Sequence, residues 1–232
     1  MFYAQSKWYD KAEERYKSNL DLRRSFFGEN SREAGWGWYN RAVFYEGRQA
    51  YDKAAEDARQ ALRIFKTSAG PKSDEASLAL SVLANVYHMQ GDGERAIEAA
   101  ERSLTIQTEQ GRRRDELTQT LSFLGELLRD HKNFQRALQV YQRMAALWAA
   151  EAYNDLSYQL AIRNIVVAYV YLKDFPNARK SYTQLYKALQ KDPVRQKTAA
   201  QAYADALQAN GQLREAKKVL SQAGVDNTTK GS

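Results

Sequence analysis

The chain of 232 residues contains no cysteine, three prolines and two histidines. Without cysteine there is no disulfide frame and no thiolate to act as nucleophile or metal ligand, and the compartment stays open between the cytosol and an oxidising space. His88 and His131 stand alone, with no H-E-x-x-H and no Cys/His ligand spacing around them, so no metal site and no cofactor are expected. The longest apolar stretch, residues 160–172, is thirteen residues and contains Arg163 and Asn164, well short of the roughly 20 that a bilayer requires. The opening Met1-Phe2-Tyr3-Ala4-Gln5-Ser6-Lys7 lacks the basic start and apolar core of a secretory signal, and a soluble protein is expected. No glycine-rich phosphate loop, no strand pattern and no paired nucleophile and base are present, so catalysis is not expected.

Present instead is a short stretch that returns at nearly even spacing. Its copies are Tyr9-Asp10-Lys11-Ala12, Tyr51-Asp52-Lys53-Ala54, Gly93-Glu94-Arg95-Ala96, Phe134-Gln135-Arg136-Ala137, Phe175-Pro176-Asn177-Ala178 and Leu213-Arg214-Glu215-Ala216. The alanines step by 42, 42, 41, 41 and 38 residues. A period of roughly 20–50 residues marks a solenoid, whose units bury their apolar faces only by stacking. Sixteen, thirteen, twelve and nine residues before each marker alanine lie positions such as Leu80, Leu83, Ala84 and Tyr87, or Ile162, Ile165, Val166 and Tyr169. That spacing puts four side chains on one stripe of a helix. Four, seven and eight residues after the marker, a second stripe follows, as in Ala58, Ala61 and Leu62. Each unit is therefore a helical hairpin. Its turn is short and polar, as at Gln90-Gly91-Asp92-Gly93, and its small residues let the two backbones approach closely.

The W/L-x-x-L-G/A-x-x-Y stripe followed by a fixed alanine resembles the tetratricopeptide repeat (TPR) pattern. Ordinary units of that family run about 34 residues, whereas these are longer, similar to the long repeats of kinesin light chains. The connections Phe27-Gly28-Glu29-Asn30-Ser31-Arg32-Glu33 and Ala69-Gly70-Pro71-Lys72-Ser73-Asp74-Glu75 resemble the G-x-x-H-P-x loop of those repeats, without its histidine and proline. The resemblance implies an all-α, right-handed superhelix of about five hairpins after a partial first unit. The expected divisions are 1–31, 32–72, 73–113, 114–153, 154–192 and 193–223, in a single domain, followed by a disordered tail over 224–232. The leading unit lacks the first half of its first helix, which reads as a fragment of a longer protein in preference to a cap from Tyr9 onward with residues 1–7 as a stub.

The resemblance also implies a non-catalytic scaffold that takes a peptide or protein segment in a concave groove lined by the first helix of each unit. Positions off the buried stripe give the candidates Trp36, Tyr39, Val43, Leu78, Asn85, His88, Ser122, Glu126, Arg129, Arg163 and Val167. Trp36 and Tyr39 are aromatic anchors of the kind enriched at binding hot spots, with core packing as the competing role for Trp36 and the preferred one for Trp38. Arg129 and Arg163 suit a carboxylate, although Glu126 and Arg129, three apart, can pair with each other. A clamp for a chaperone's C-terminal tail is not expected, because Val43 and Val167 stand where polar clamp residues belong. The rival occupants are a second copy of the chain and, through Arg112-Arg113-Arg114, nucleic acid. A formal charge of +7 favours acidic partners in general.

Overall fold

The computed structural model describes residues 2–150 and 155–225, with side chains from residue 8 onward. Among the described residues there is no strand. The helices are α1 (Phe2–Phe27), α2 (Arg32–Gly47), α3 (Tyr51–Ser68), α4 (Asp74–Met89), α5 (Gly93–Glu109), α6 (Arg114–Asp130), α7 (Phe134–Leu147), α8 (Leu156–Tyr171), α9 (Phe175–Ala188), α10 (Pro193–Ala209) and α11 (Leu213–Gln222). They form two compact units: residues 1–112, with α1 to α5, and residues 113–232, with α6 to α11. Hairpins α2–α3 and α4–α5 build the first unit, and α6–α7, α8–α9 and α10–α11 build the second.

The boundaries follow from local chemistry. Helix N-termini leave backbone N–H groups unsatisfied, and side-chain oxygens cap them: Ser31 for Ala34 N–H (3.0 Å), Ser73 for Ala76 (3.2 Å), Asp92 for Arg95 (3.1 Å), Asp155 for Ser157 (2.7 Å) and Asp192 for Arg195 (3.0 Å). Inside every hairpin the turn is the same. One residue, five before the marker alanine, takes a left-handed φ: Gln49 (59°), Gly91 (80°), Lys132 (59°), Lys173 (61°) and Gly211 (77°). The next N–H then reaches back to the carbonyl five residues earlier, at 2.7–2.9 Å in Ala50–Tyr45, Asp92–Tyr87, Asn133–Leu128, Asp174–Tyr169 and Gln212–Leu207. This is the Schellman closure that satisfies the last carbonyls of a helix.

Within each hairpin the smallest residues sit where the backbones meet. The markers Ala54, Ala96, Ala137, Ala178 and Ala216 are fully buried, as are Ala42 and Ala204 twelve residues before their markers. Large side chains fill the space beside them, among them Phe65, Leu80, Leu121, Leu128 and Tyr203, each almost wholly buried; burying one such side chain stabilises by about 1.5–3 kcal/mol.

The first marker behaves differently. Tyr9-Asp10-Lys11-Ala12 lies inside one continuous 26-residue helix, without the turn that precedes the other copies. Helix α1 packs on α2 through buried Leu20 and through Tyr16, whose ring lies 4.9 Å from that of Phe44. At the far end, Val225 donates its N–H to Leu220 (3.0 Å) and packs against the cluster around Ala216 and Leu220. The rest of the expected disordered tail, residues 226–232, lies outside the described residues.

Candidate functional site

In the first unit, α2 and α4 lie side by side, and their positions off the buried stripe share one face. Trp36 is half-buried and sits edge-on to the buried ring of Phe65 (5.3 Å) and to Tyr39 (5.4 Å), so it anchors the face rather than standing free of it. Tyr39 keeps its proton more firmly than usual, because burial and then the nearby Glu46 carboxylate oppose ionisation. Val43 and Leu78 reach solvent, 42% and 37% exposed. Asn85 donates its amide to Glu46, tying α4 to α2. Ser81, on the same stripe, is bonded inward to Ser103 (2.9 Å) and to the carbonyl of Ser77 (3.1 Å). His88 lies partly buried in the last turn of α4.

Trp38, expected in the core, is only partly buried and lies beneath the Arg41 guanidinium (4.8 Å). Arg41 also donates two hydrogen bonds to the buried Asp57 carboxylate, at 2.6 and 2.9 Å. Burial pushes the Asp57 carboxyl above its ordinary range, and those two bonds pull it part of the way back.

In the second unit the candidates divide. Ser122 meets Glu126 at 3.5 Å. Arg129 bonds the neighbouring Asp130 at 3.2–3.3 Å, where the sequence pointed to Glu126. Val167 packs against the core cluster of α8 to α11. Arg163 faces a cavity of about 220 Å³ bounded by Leu156, Gln159 and Leu160 of α8, Leu185 and Leu189 at the end of α9, and Arg195, Thr198 and Ala199 of α10. The cavity has a structural origin. Helix α10 leans on α8 more than on α9, whereas α4 and α8 pack broadly on the helices that precede them, α3 and α7. Small Ala199, buried against Leu185 and Leu189, leaves the remaining space unfilled.

Leu156, Gln159, Leu185, Leu189 and Arg195 were not among the sequence candidates. Leu156 and Gln159 lie one helical turn before Leu160 and Arg163 on the same face, so extending the stripe one turn towards the helix start reaches them. Nothing in the spacing signals Leu185 and Leu189, since it is the sparse packing of α10 on α9 that leaves them beside the cavity.

The arginine run is engaged locally. Arg112 bonds Asp74 (2.8 Å), Arg113 bonds Asp115 (3.3 Å) and Glu116 (3.2 Å), and Arg114 donates to the carbonyl of Leu147 (3.4 Å) while lying over the Trp148 ring (4.3 Å). Among the described residues no cluster of three or more His, Asp or Glu could hold a metal ion. No helix among them is long and apolar enough to cross a membrane.

No curated protein matches the sequence significantly. Among solved structures, the fold is similar to that of the nearly identical TPR-like repeats of a Podosopora anserina protein described as a kinesin light chain, with a TM-score of 0.66 and 20% identity over 81% of this chain and 92% of that one. It is also similar to BtubC (BKLC) from P. vanneervenii, with a TM-score of 0.67 and 17% identity over 98% and 95%. A Rap protein complexed with competence and sporulation factor matches at a TM-score of 0.53 and 14% identity, over 96% of this chain and 65% of that one. The tetratricopeptide repeat family model matches residues 33–109 and 74–150, together half of the sequence. With the helical hairpins and the buried marker alanines, this match places the chain in the tetratricopeptide repeat family.

Proposed function

We propose that this protein is a non-catalytic interaction module that takes a peptide or protein segment along a face formed, within a compact unit, by the first helices of its hairpins. One observation carries the reading: Val43 and Leu78 lie open to solvent beside Tyr39 on a face that hairpin packing does not need. Aromatic and apolar side chains grouped there are suited to anchoring a partner. A similar fold has been solved in complex with a bound factor, which agrees with that use. The arginine run supports nucleic-acid binding poorly, because its members already hold Asp74, Asp115, Glu116 and a backbone carbonyl.

The test is selection of random displayed peptides on the whole chain. Peptides recovered by the wild type should bind the double variant Tyr39→Ala/Leu78→Ala, both changes on the face of the first unit, at least roughly tenfold more weakly, with the helical circular dichroism unchanged. Equal binding by the variant would move the site to another face. Self-association is a second reading with its own observation: Trp8 and Phe26 on α1 are 73% and 78% exposed. Light scattering that shows a monomer at every concentration would remove it.

A further inference from the structure

We propose that α9 and α11, second helices of the second unit, form a basic surface that lies on the phosphate backbone of duplex nucleic acid without reading its sequence. This goes beyond the peptide reading, which uses the first helices.

Three observations carry it. First, charge is sorted by layer. In the second unit the second helices α7, α9 and α11 hold eight Lys and Arg against one acid, Glu215, whereas the first helices α6, α8 and α10 hold five against five. The second helices of the first unit, α3 and α5, hold six against seven. Position by position the sign reverses. Two residues before and two after the marker alanine, the first unit has Asp52, Glu56, Glu94 and Glu98, and the second unit has Lys180 on α9 and Arg214 and Lys218 on α11. Hairpin packing asks for neither sign at these exposed places. A surface of one sign steers polyanions towards it.

Second, the cations form one open patch. Arg179 bonds Glu215 (3.0 Å) and the Tyr186 hydroxyl donates to the Gln222 carbonyl (3.2 Å), two links that place α11 beside α9. At about 100° per residue, Lys180, Lys187, Arg214 and Lys218 all point within about 20° of the direction opposite their buried marker. None of the four makes a hydrogen bond or ion pair with any described residue, unlike the arginine run at 112–114. Lys180 and Lys187 are about 10 Å apart along α9, and Arg214 and Lys218 about 6 Å apart along α11. A duplex carries one phosphate per roughly 1.7 Å of its axis, so neighbouring phosphates can meet several of these side chains at once.

Third, the patch has charge and little else. No aromatic ring on α9 or α11 is exposed, and Leu213, 60% exposed, is the one large apolar side chain open to solvent on the two helices. Single strands are held by stacking on rings, membranes by inserted apolar side chains and protein partners by aromatic or apolar anchors. A duplex backbone needs only cations.

The experiment is fluorescence anisotropy on the whole chain with a short labelled DNA duplex of mixed sequence, an RNA duplex of the same sequence and labelled poly-glutamate, beside co-sedimentation with vesicles of phosphatidylserine and phosphatidylcholine. Four phosphate contacts give a slope of log K against log salt of about −3 to −4 between roughly 50 and 200 mM. Lys180→Gln/Lys187→Gln/Arg214→Gln/Lys218→Gln should weaken duplex binding at the lowest salt at least roughly tenfold and flatten the slope to about −1 or less. Arg59→Gln/Arg63→Gln/Arg95→Gln/Arg102→Gln removes four exposed charges from α3 and α5 and should keep the slope, with affinity within about threefold. Lys180→Arg/Lys187→Arg/Lys218→Arg, which keeps the charge, should bind like wild type, so that loss in the glutamine variant is read as lost cations and not lost fold. The tighter of the two duplexes identifies the source of the phosphates. No duplex binding at the lowest salt, equal losses in the two glutamine variants, binding retained without the four cations, or poly-glutamate or vesicles bound more tightly than either duplex would each overturn the proposal.

Discussion

The two units are built to one spacing and filled with different chemistry. Residues 1–112 carry seventeen Lys and Arg against seventeen Asp and Glu, and residues 113–232 carry eighteen against eleven, so the whole excess of +7 belongs to the second unit. In the first unit polar groups face one another: Arg41 holds Asp57, Tyr45 holds Glu13, Asn85 holds Glu46 and Arg32 holds Glu75. In the second unit rings take over, with Tyr141 and Tyr182 four residues after the marker, where the first unit has Ala58 and Ala100. There Arg163 makes no hydrogen bond or ion pair with any described residue. A hairpin repeat thus specifies where backbones meet, while the side chains around that meeting are free to be paired, packed or left open. The open ones are where partners are expected.

The sharpest way to break this comparison is through the Arg41–Asp57 pair. The equivalent places in α8 and α9 are Ile165 and Ser181, so the second unit does without the pair. Arg41→Met strands a buried carboxylate and should cost about 3–5 kcal/mol in urea unfolding at pH 7, whereas Arg41→Met/Asp57→Leu should return close to wild type. The pH dependence has a definite sign. Burial already raises the Asp57 carboxyl above its ordinary range, and loss of Arg41 raises it further. The folded variant then binds a proton more readily than the unfolded chain, so its stability falls as pH rises, and the deficit should shrink from pH 7 towards pH 4. The matched change in the second unit, Ile165→Met, should cost less than about 1.5 kcal/mol at any pH.

A smaller effect separates the two ways of closing a hairpin. At the place held by Ala42 and Ala84 in the first unit, α6 has Gly125, and a Cβ built there would collide with the ring of Tyr141. Overpacking of this kind costs about 1–3 kcal/mol, and alanine returns up to about 1 kcal/mol of helix propensity. Gly125→Ala should therefore destabilise by about 1–2 kcal/mol although it is the residue the first unit uses. Ala84→Gly should lose about 1 kcal/mol in the opposite direction. A stabilised Gly125→Ala would show that the ring has room to move and that the two fillings are interchangeable.

The hairpins were legible because they rest on one repeated steric requirement. A tiny residue must recur wherever two backbones touch, and Ala54, Ala96, Ala137, Ala178 and Ala216 announce it. The leading copy shows the limit: Ala12 carries the same local motif inside an unbroken helix, because four residues do not encode whether a turn precedes them. The candidate face was legible as a stripe, which is why Tyr39, Val43, Leu78 and Arg163 were reachable. Pairing was not, since Arg129 chose Asp130 over Glu126 by rotamer, a choice that spacing does not fix. The cavity was not legible either, because it arises from the sparse packing of α10 on α9 and from the smallness of Ala199.

Two buried hydroxyls with opposite circumstances offer the next contrast. Tyr45 donates to Glu13 at 2.9 Å, while the Tyr141 hydroxyl is buried with no partner among the described residues; burial drives both up to about 12. Tyr45→Phe should cost about 1 kcal/mol, whereas Tyr141→Phe should be neutral or stabilise by up to about 1 kcal/mol, because it removes an unpaired polar group. The Tyr45 effect should depend on acid. Hydrogen bonds from Tyr45 and Lys53 hold the Glu13 carboxyl below its ordinary range, so the contribution is present above that range and lost as pH falls through the lowered value. Matched thermal melts at pH 7 and pH 3 would reveal a sign difference between the two variants only at the higher pH.

The smallest expected effect lies in the turns, where the units differ least. Gln49 in the first unit and Lys132 and Lys173 in the second hold left-handed φ values of 59–61°, where two other turns place glycine. A side chain in that conformation costs roughly 1–2 kcal/mol, and glycine recovers this but loses roughly 0.5–1 kcal/mol through the greater freedom of its unfolded chain. Gln49→Gly, Lys132→Gly and Lys173→Gly should therefore each stabilise by about 0.5 kcal/mol, equally in both units. In the opposite direction Gly91→Ala should destabilise by about 1 kcal/mol. If the gain appeared at Gln49 and not at Lys132 or Lys173, the lysines would be offsetting their strain through the carbonyls at the helix ends, a use of charge confined to the basic unit.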